Sequence, residues 1–395
     1  MRILTINCGS STLKFELFEV SDKEWSLGRG IVDRIGGRGG VEFTDQDGER
    51  TVHVAAVADH GEAGLRAMRS LDSSGLLEGI EAVGHRVVHG GANFSGPALL
   101  DARAEEAIEE LAELAPLHNG PALEAIRAVR VALGPEMPQV ACFDTAFHSR
   151  MPRVARLFAL PRRFLEEGIL RYGFHGLSYE YVMGELGVLD PDAARSRVVI
   201  AHLGNGASMV AIRNGESMDT TMGFTPAGGL AMGTRPGDLD PGVLLHLLRS
   251  KGMTPAALSE LVNREAGLLG VSGTSADMRD LLSRMAADPR AAEAVALFCY
   301  QAKKFLGALV VALGGLDTLV FTGGIGEHAA TVREQICEGL EFLGVGLDLE
   351  RNAEHAPIIS RDDAVVTVRV LPTDEDLMIA RHTRDLVRLT TKEGA

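Results

Sequence analysis

The chain has 395 residues and a mass of 42.0 kDa, a length suited to two domains rather than one small core. A composition of 46% hydrophobic, 24% charged and 5% aromatic residues excludes disorder, collagen and a disulfide-stapled mini-protein. The formal charge of -15 argues against sequence-independent nucleic-acid binding and against docking on anionic membranes.

In chain order, Met1 to Ile6 alternates as a strand and lacks the apolar core of a signal peptide, so no targeting segment is expected. A Gly/Ser turn follows, then a second strand from Lys14 to Val20. Helical stretches run over Ala102 to Leu114 and Asn119 to Leu133, followed by a strand, Gln139 to Phe143, that ends in Asp144. The opening grammar then returns: strand Arg197 to Ala201, polar Gly turn His202 to Ser208, strand Met209 to Arg213. Either the likeness is two unrelated hairpins, or the chain has two homologous halves, each presenting a turn of N–H groups to one ligand. Helices are expected over Pro241 to Arg249 and Pro255 to Glu265, each with Pro at its start, and a long core helix over Ala291 to Leu313. The longest apolar run, Phe305 to Leu316, is too short to span a bilayer. Thr318 to Thr322 reads as a buried strand entering the turn Gly323 to Gly326, with a helix from Ala329 to Phe342. A last strand, Ala364 to Leu371, leads through the polar turn Thr373 to Asp376 into a closing helix. Strands alternate with helices, so the class is α/β with mixed sheets. No low-complexity linker separates the halves, so a shared cleft is expected. Cys8, Cys142, Cys299 and Cys337 have no CxxC spacing, which points to reduced thiols and a cytoplasmic protein.

No Gly-x-x-x-x-Gly-Lys-Ser/Thr motif exists, which excludes a P-loop. Gly324 to Ala329 fits the G-x-G-x-x-A dinucleotide fingerprint. Residues 7–14, 202–208 and 323–328 are three phosphate-type loops where a Rossmann unit needs one, and three suit a triphosphate. Arg86 precedes a Gly turn and Arg235 lies in a Gly/Pro-rich loop. Each either grips a carboxylate or phosphoryl group with its planar fork or satisfies loop carbonyls. His175, between Gly and aromatic residues, is either a tuned functional group or a structural one.

Asn7-Cys8-Gly9-Ser10-Ser11-Thr12-Leu13-Lys14-Phe15 and Met232-Gly233-Thr234-Arg235-Pro236-Gly237-Asp238-Leu239-Asp240-Pro241 resemble the two signatures of the acetate kinase family. Segments around Arg86, Leu117-His118-Asn119, Asp144, His175, His202 to Ser208, Asp277-Met278-Arg279, Gly323 to Glu327 and Glu375 match in order, covering nearly the whole chain. The resemblance implies the bilobal fold of the sugar-kinase, heat-shock and actin ATPase superfamily, two duplicated domains with a central nucleotide cleft. The lobes would be residues 1–145 and 146–372, with 373–395 returning to the first.

The resemblance also implies roles. Asn7 and Glu375 would lie near Mg²⁺ or Mn²⁺, and Ser10, Thr12 and Lys14 on the first phosphate loop. Arg86, Asp144, His175 and Arg235 would form the catalytic group. His202, Leu203, Gly204, Asn205, Gly206, Asp277, Met278, Arg279, Gly324, Ile325, Gly326, Glu327 and His328 would bind the nucleotide. Arg86, Val88, Leu117, Phe174 and Pro226 would receive acetate, the last four forming an apolar methyl pocket. Thr12 replaces the usual Ser, Gly228 a common Glu, and His328 a common Asn. The implied reaction is reversible phosphoryl transfer from ATP to acetate, in the cytoplasm, by a homodimer without nucleic-acid or membrane partners. Three alternatives stand beside it: a propionate or butyrate kinase of the same family, an NAD-dependent oxidoreductase using Gly324 to Ala329, and an ATPase-switch binding protein.

Overall fold

A computed structural model describes residues 1–21, 23–113 and 119–393. The chain divides into two units, Met1–Ser149 with Asp374–Ala395, and Arg150–Thr373.

In the first unit, β1 (Arg2–Cys8) pairs antiparallel with β2 (Leu13–Val20), which continues into β3 (Glu24–Asp33), β4 (Gly37–Asp45) and β5 (Arg50–Val57). On its other edge β1 pairs parallel with β6 (Ala82–Val87), and β8 (Gln139–Phe143) follows in parallel, with the two-residue β7 (Ala98–Leu99) outermost. Side chains alternate across the pleat. Leu4, Ile6, Leu13, Phe15 and Leu17 therefore join one core with Ala63, Ala67, Met68 and Leu71 of the helix His60–Ser73 and with Ala125 and Val129 of the helix Asn119–Leu133. Ile3, Phe18 and Val20 face the other way, onto Ala380 and Leu377 of the closing helix Glu375–Glu393.

The second unit repeats the plan. β9 (Arg197–Leu203) is central, with β10 (Ala207–Arg213) and β11 (Glu216–Thr220) antiparallel on one side. β12 (Thr318–Thr322) and β13 (Thr367–Val370) are parallel on the other. The order β11-β10-β9-β12-β13 matches β3-β2-β1-β6-β8, with the same strand directions. Of the two readings of the hairpins, the duplicated plan is the one observed, and both sheets are mixed as expected.

The observed boundaries depart from the expected ones where glycine and helix ends mislead. Gly323–His328 is a short helix rather than a turn, because the Glu327 side chain folds back to accept from Gly323 N (2.9 Å) and caps it. The next helix stops at Cys337 and is followed by a single 3₁₀ turn, Glu341–Leu343. The helix from Pro255 ends at Glu260 and passes into a π turn, Leu261–Glu265. The helix from Ala102 ends at Glu110, with a 3₁₀ turn Leu111–Glu113; Leu114 lies outside the described residues. The core helix is Pro289–Leu313, long and apolar enough by length and composition to cross a membrane. It buries Ala294, Phe298, Ala302, Leu306, Leu309 and Leu313 inside the unit, the pattern of a core helix.

All four cysteines are buried free thiols. Burial pushes Cys8, Cys299 and Cys337 up to about 12. At pH 8 only about one such thiol in ten thousand is thiolate, so a thiol-reactive dye should label the folded protein slowly and all four sites quickly after denaturation. Fast stoichiometric labelling of the native protein would contradict this burial.

Candidate active site

Register assembles the first group. Lys14 of β2, Asn7 of β1 and Arg86 of β6 are consecutive cross-strand partners and so share one face of the sheet. That face is the one covered by the closing helix. Gly84, two residues before Arg86, lets the helix approach, since a Cβ there would lie 2.3 Å from Thr383 Oγ1 and 2.5 Å from Ile379 Cγ2. The close approach delivers Glu375, the first residue of that helix, to the Arg86 guanidinium.

Arg86 is therefore a strand residue, not the loop residue its Gly-rich surroundings suggest. Its Nε and Nη2 donate to Asp144 Oδ1 and Oδ2 at 3.0 and 2.6 Å, a bidentate pair. Its Nη1 donates to Asn7 Oδ1 at 3.1 Å and lies 3.5 Å from Glu375 Oε2. Asp144 follows directly after β8 and its side chain is only 1% exposed, against 17% for Arg86. Burial alone would lower the Arg86 pKa, but the charges of Asp144 and Glu375 overcome it and hold the guanidinium firmly protonated. Ser10 is exposed and Thr12 half-buried on the turn between β1 and β2, which Gly9 N closes onto Thr12 O at 2.8 Å. His60 Nε2 lies 2.8 Å from Gly9 O and braces the turn from behind.

The oxygens of Asn7 and Glu375 suit a hard cation such as Mg²⁺. Among the described residues no group of three or more His, Cys, Asp or Glu is placed to hold a metal. An ion held by Asn7 and Glu375 would thus take most of its shell from phosphate oxygens and water.

The second group gathers around the turn between β9 and β10. His175, at φ +58° just before the helix Gly176–Leu189, stacks on His202 with ring centroids 4.3 Å apart. Its Nδ1 lies 2.8 Å from Ser208 Oγ, which also bonds the Tyr179 hydroxyl. His202 Nδ1 lies 2.8 Å from Ser178 Oγ, and Thr373 Oγ1 donates to that same hydroxyl at 2.8 Å. The Nε2 atoms lie beside the turn, that of His202 at 3.8 Å from where a Cβ on Gly204 would sit. A Cβ on Gly206 would lie 3.3 Å from His175 Nε2 and 2.9 Å from Arg235 Nη2, so both groups meet at this glycine, which has no side chain to hold them off. Arg235 is steadied by donating from Nη1 to Pro226 O at 2.6 Å. Asn205 Oδ1 fills the space beside Gly233, where a Cβ would meet it at 2.0 Å, and Gly233 N donates to Asn205 O at 2.9 Å.

The remaining nucleotide candidates lie in this second unit too. Gly323 abuts the turn, a Cβ there meeting Leu203 O at 2.8 Å. Gly324 and His328 are exposed, Ile325 and Glu327 half-buried, Gly326 buried. Asp277 caps the helix Met278–Arg284 and pairs with Arg279 at 2.9 Å. The Leu203 and Met278 side chains are core residues, so these two offer a ligand only their backbone. Val88 is buried in the first unit and Phe174 in the second, where Pro226 is half-buried; Leu117 lies outside the described residues.

Sequence reasoning missed Ser178 and Tyr179, and gave Ser208 and Thr373, which lie in turns it marked, no part in orienting the two histidines. Ser178 and Tyr179 follow His175 by three and four residues, a helical spacing that could have flagged them.

The model of the acetokinase family matches residues 2–381. The acetate kinase of Rhodopseudomonas palustris is 47% identical over 388 residues, covering 96% of this chain and 97% of that one. The crystal structure of Porphyromonas gingivalis acetate kinase superposes with a TM-score of 0.89 at 39% identity, over 98% of this chain and 99% of that one. A propionate kinase from Francisella tularensis subsp. tularensis gives a TM-score of 0.92 at 36% identity, over 97% and 99%.

Proposed function

The chain belongs to the acetokinase family and is a kinase of that family, and from that premise we propose that it transfers the γ-phosphoryl group of ATP to acetate, reversibly, giving acetyl phosphate and ADP. Membership sets aside the oxidoreductase and the switch-protein readings. The observation that carries the proposal is that His175 Nε2 and Arg235 Nη2 meet at Gly206. Two nitrogen groups brought together at one turn can serve a group that is anionic throughout the reaction.

The acceptor makes this arrangement sufficient. A short-chain carboxylate has a pKa of roughly 4 to 5, so it is already ionised at neutral pH and needs no base. The barrier is the repulsion between that anion and the phosphate, together with charge on the equatorial oxygens during transfer. Arg86 and Arg235 supply fixed positive charge, and His175 supplies a hydrogen bond from Nε2. Asp144 locks the Arg86 fork in place. Asn7 and Glu375 would hold Mg²⁺ or Mn²⁺, which when bound neutralises phosphate charge. Val88, Phe174, Pro226 and Leu117 are proposed to receive the acyl group. We place the reaction in the cytoplasm, consistent with four free thiols.

The test is hydroxylamine trapping of acyl phosphate with ATP, Mg²⁺ and the C1 to C4 acids. Acetyl hydroxamate as the main product supports the proposal. A maximum at propionate moves the chain to the neighbouring specificity, since one methylene in an apolar pocket changes preference by only ~1–3 kcal/mol. No hydroxamate with any acid overturns the proposal.

We further propose a homodimer. The helix Pro241–Ser250 carries Val243, Leu244, Leu245, Leu247 and Leu248, yet none of its residues is buried. None is buried in Pro255–Glu260 or Leu261–Glu265 either. A helix that leaves Val243 and Leu245 exposed is the kind of surface a second copy would cover. Leu245→Asp is expected to shift the protein from dimer to monomer in light scattering at micromolar concentration. A wild type that is monomeric there would refute the dimer.

A further inference from the structure

Arg333, on the helix Ala330–Cys337, is the largest fully buried side chain among the described residues. A buried guanidinium ordinarily faces a carboxylate. Here all five N–H groups meet neutral acceptors. Nε donates to Asn352 Oδ1 at 2.8 Å, and Nη1 to the carbonyls of Gly326 and Glu327 at 2.8 and 2.9 Å. Nη2 donates to Asn352 O at 2.7 Å and to His355 Nδ1 at 3.0 Å. Burial pulls Arg333 down to about 10, which still leaves it charged at neutral pH. Burial and the Arg333 charge hold His355 below its usual value, so its ring is neutral and Nδ1 accepts.

Gly326 and Glu327 supply the final carbonyls of the helix Gly323–His328, which have no acceptor role left within so short a helix. Arg333 satisfies them and places positive charge at the negative end of the helix. At the other end, Glu327 Oε1 accepts from Gly323 N at 2.9 Å and from Thr373 N at 3.4 Å. The segment is thus held at both ends by side chains, and its residues Gly324 and His328 stay exposed; the His355 ring also meets that of His328 edge-on, with centroids 6.3 Å apart. A Met or Leu in place of Arg333 would fill the same space without desolvating a charge, but could bond neither carbonyl.

We infer that Arg333, with Asn352 and His355, is a positioning cluster that fixes Gly324 to His328 for the nucleotide and sets nucleotide affinity without touching the nucleotide. The inference rests on the proposed assignment of that segment to the nucleotide.

Arg333→Met tests it most directly, and His355→Ala keeps the test open should that variant fail to fold. ADP binding by calorimetry, which needs no acyl acceptor, is measured beside the KM values for ATP and acetate. His355→Ala is expected to weaken ADP binding and raise the ATP KM by about three- to tenfold, the range that losing one charged hydrogen bond transmits. The acetate KM should stay within about twofold. His355→Asn should restore most of the loss, because Asn tolerates the φ of +55° and offers Oδ1 as acceptor. Unchanged ADP affinity in His355→Ala, or parallel rises in both KM values, overturns the inference. A wild type that binds ADP but forms no acyl phosphate refutes only the proposed acceptor chemistry, and the calorimetric comparison still decides the cluster.

Discussion

Arg86→Ala and Arg235→Ala should each lower kcat by about 10²–10³-fold at saturating substrate, the usual consequence of removing a preorganised donor. Their stabilities should diverge. Arg235 lies on a loop, where its Nη1 donates to the Pro226 carbonyl, and its removal should lower the melting temperature less than that of Arg86. Arg86 lies in a strand against a carboxylate that is 1% exposed. Removing it strands a buried charge, which typically costs about 3–5 kcal/mol. Arg86→Lys separates the two effects. It keeps the positive charge for Asp144 but loses the fork, so stability should largely return while kcat stays low. Steady-state kinetics and thermal melts on the three variants check this. Near-normal turnover in either alanine variant would make that arginine structural.

What the sequence showed and what it hid follow from the range of the interactions. The strands of residues 1–20 and 197–213 are legible because their alternation is local. β3 and β4 are not, because glycines interrupt them. In the fold the two glycines of β3 make room for aromatic rings: a Cβ on Gly30 would lie 2.3 Å from Phe15 Cζ, and one on Gly28 2.6 Å from Phe43 Cζ. A glycine that reads as a turn is here a seat for a phenylalanine. Arg86 and Asp144 were each singled out, but 58 residues separate them, and only the parallel register of β6 and β8 brings them together. Arg333 was overlooked because an arginine in a helical stretch reads as solvated, and nothing local announces that its helix faces inward. The residues that resemble family motifs were found. The side chains that hold them were not, since support comes from elements remote in sequence.

Asp144→Asn and Asp144→Ala should separate orientation from proton transfer, because the structure gives Asp144 a definite mechanical task. Both its oxygens accept from Arg86, so the carboxylate fixes the plane of the guanidinium. The acceptor substrate has no proton to surrender at neutral pH, leaving a base without work. Asn keeps one acceptor oxygen but replaces the other with an amide nitrogen that cannot accept from the fork. The expected result is a fall in kcat of about 10²-fold for Asn, comparable to the loss of one preorganised donor, and a larger fall for Ala. Arg86 remains charged in both variants, so Ala should also cost about 3–5 kcal/mol in stability, and Asn less. The deciding measurement is kcat from pH 6 to 9. If Asp144 only orients Arg86, wild type and Asp144→Asn give parallel, flat profiles displaced by a constant factor. A wild-type profile with an ionisation that Asp144→Asn abolishes would show that Asp144 carries a proton in the reaction, and the orienting role would fall.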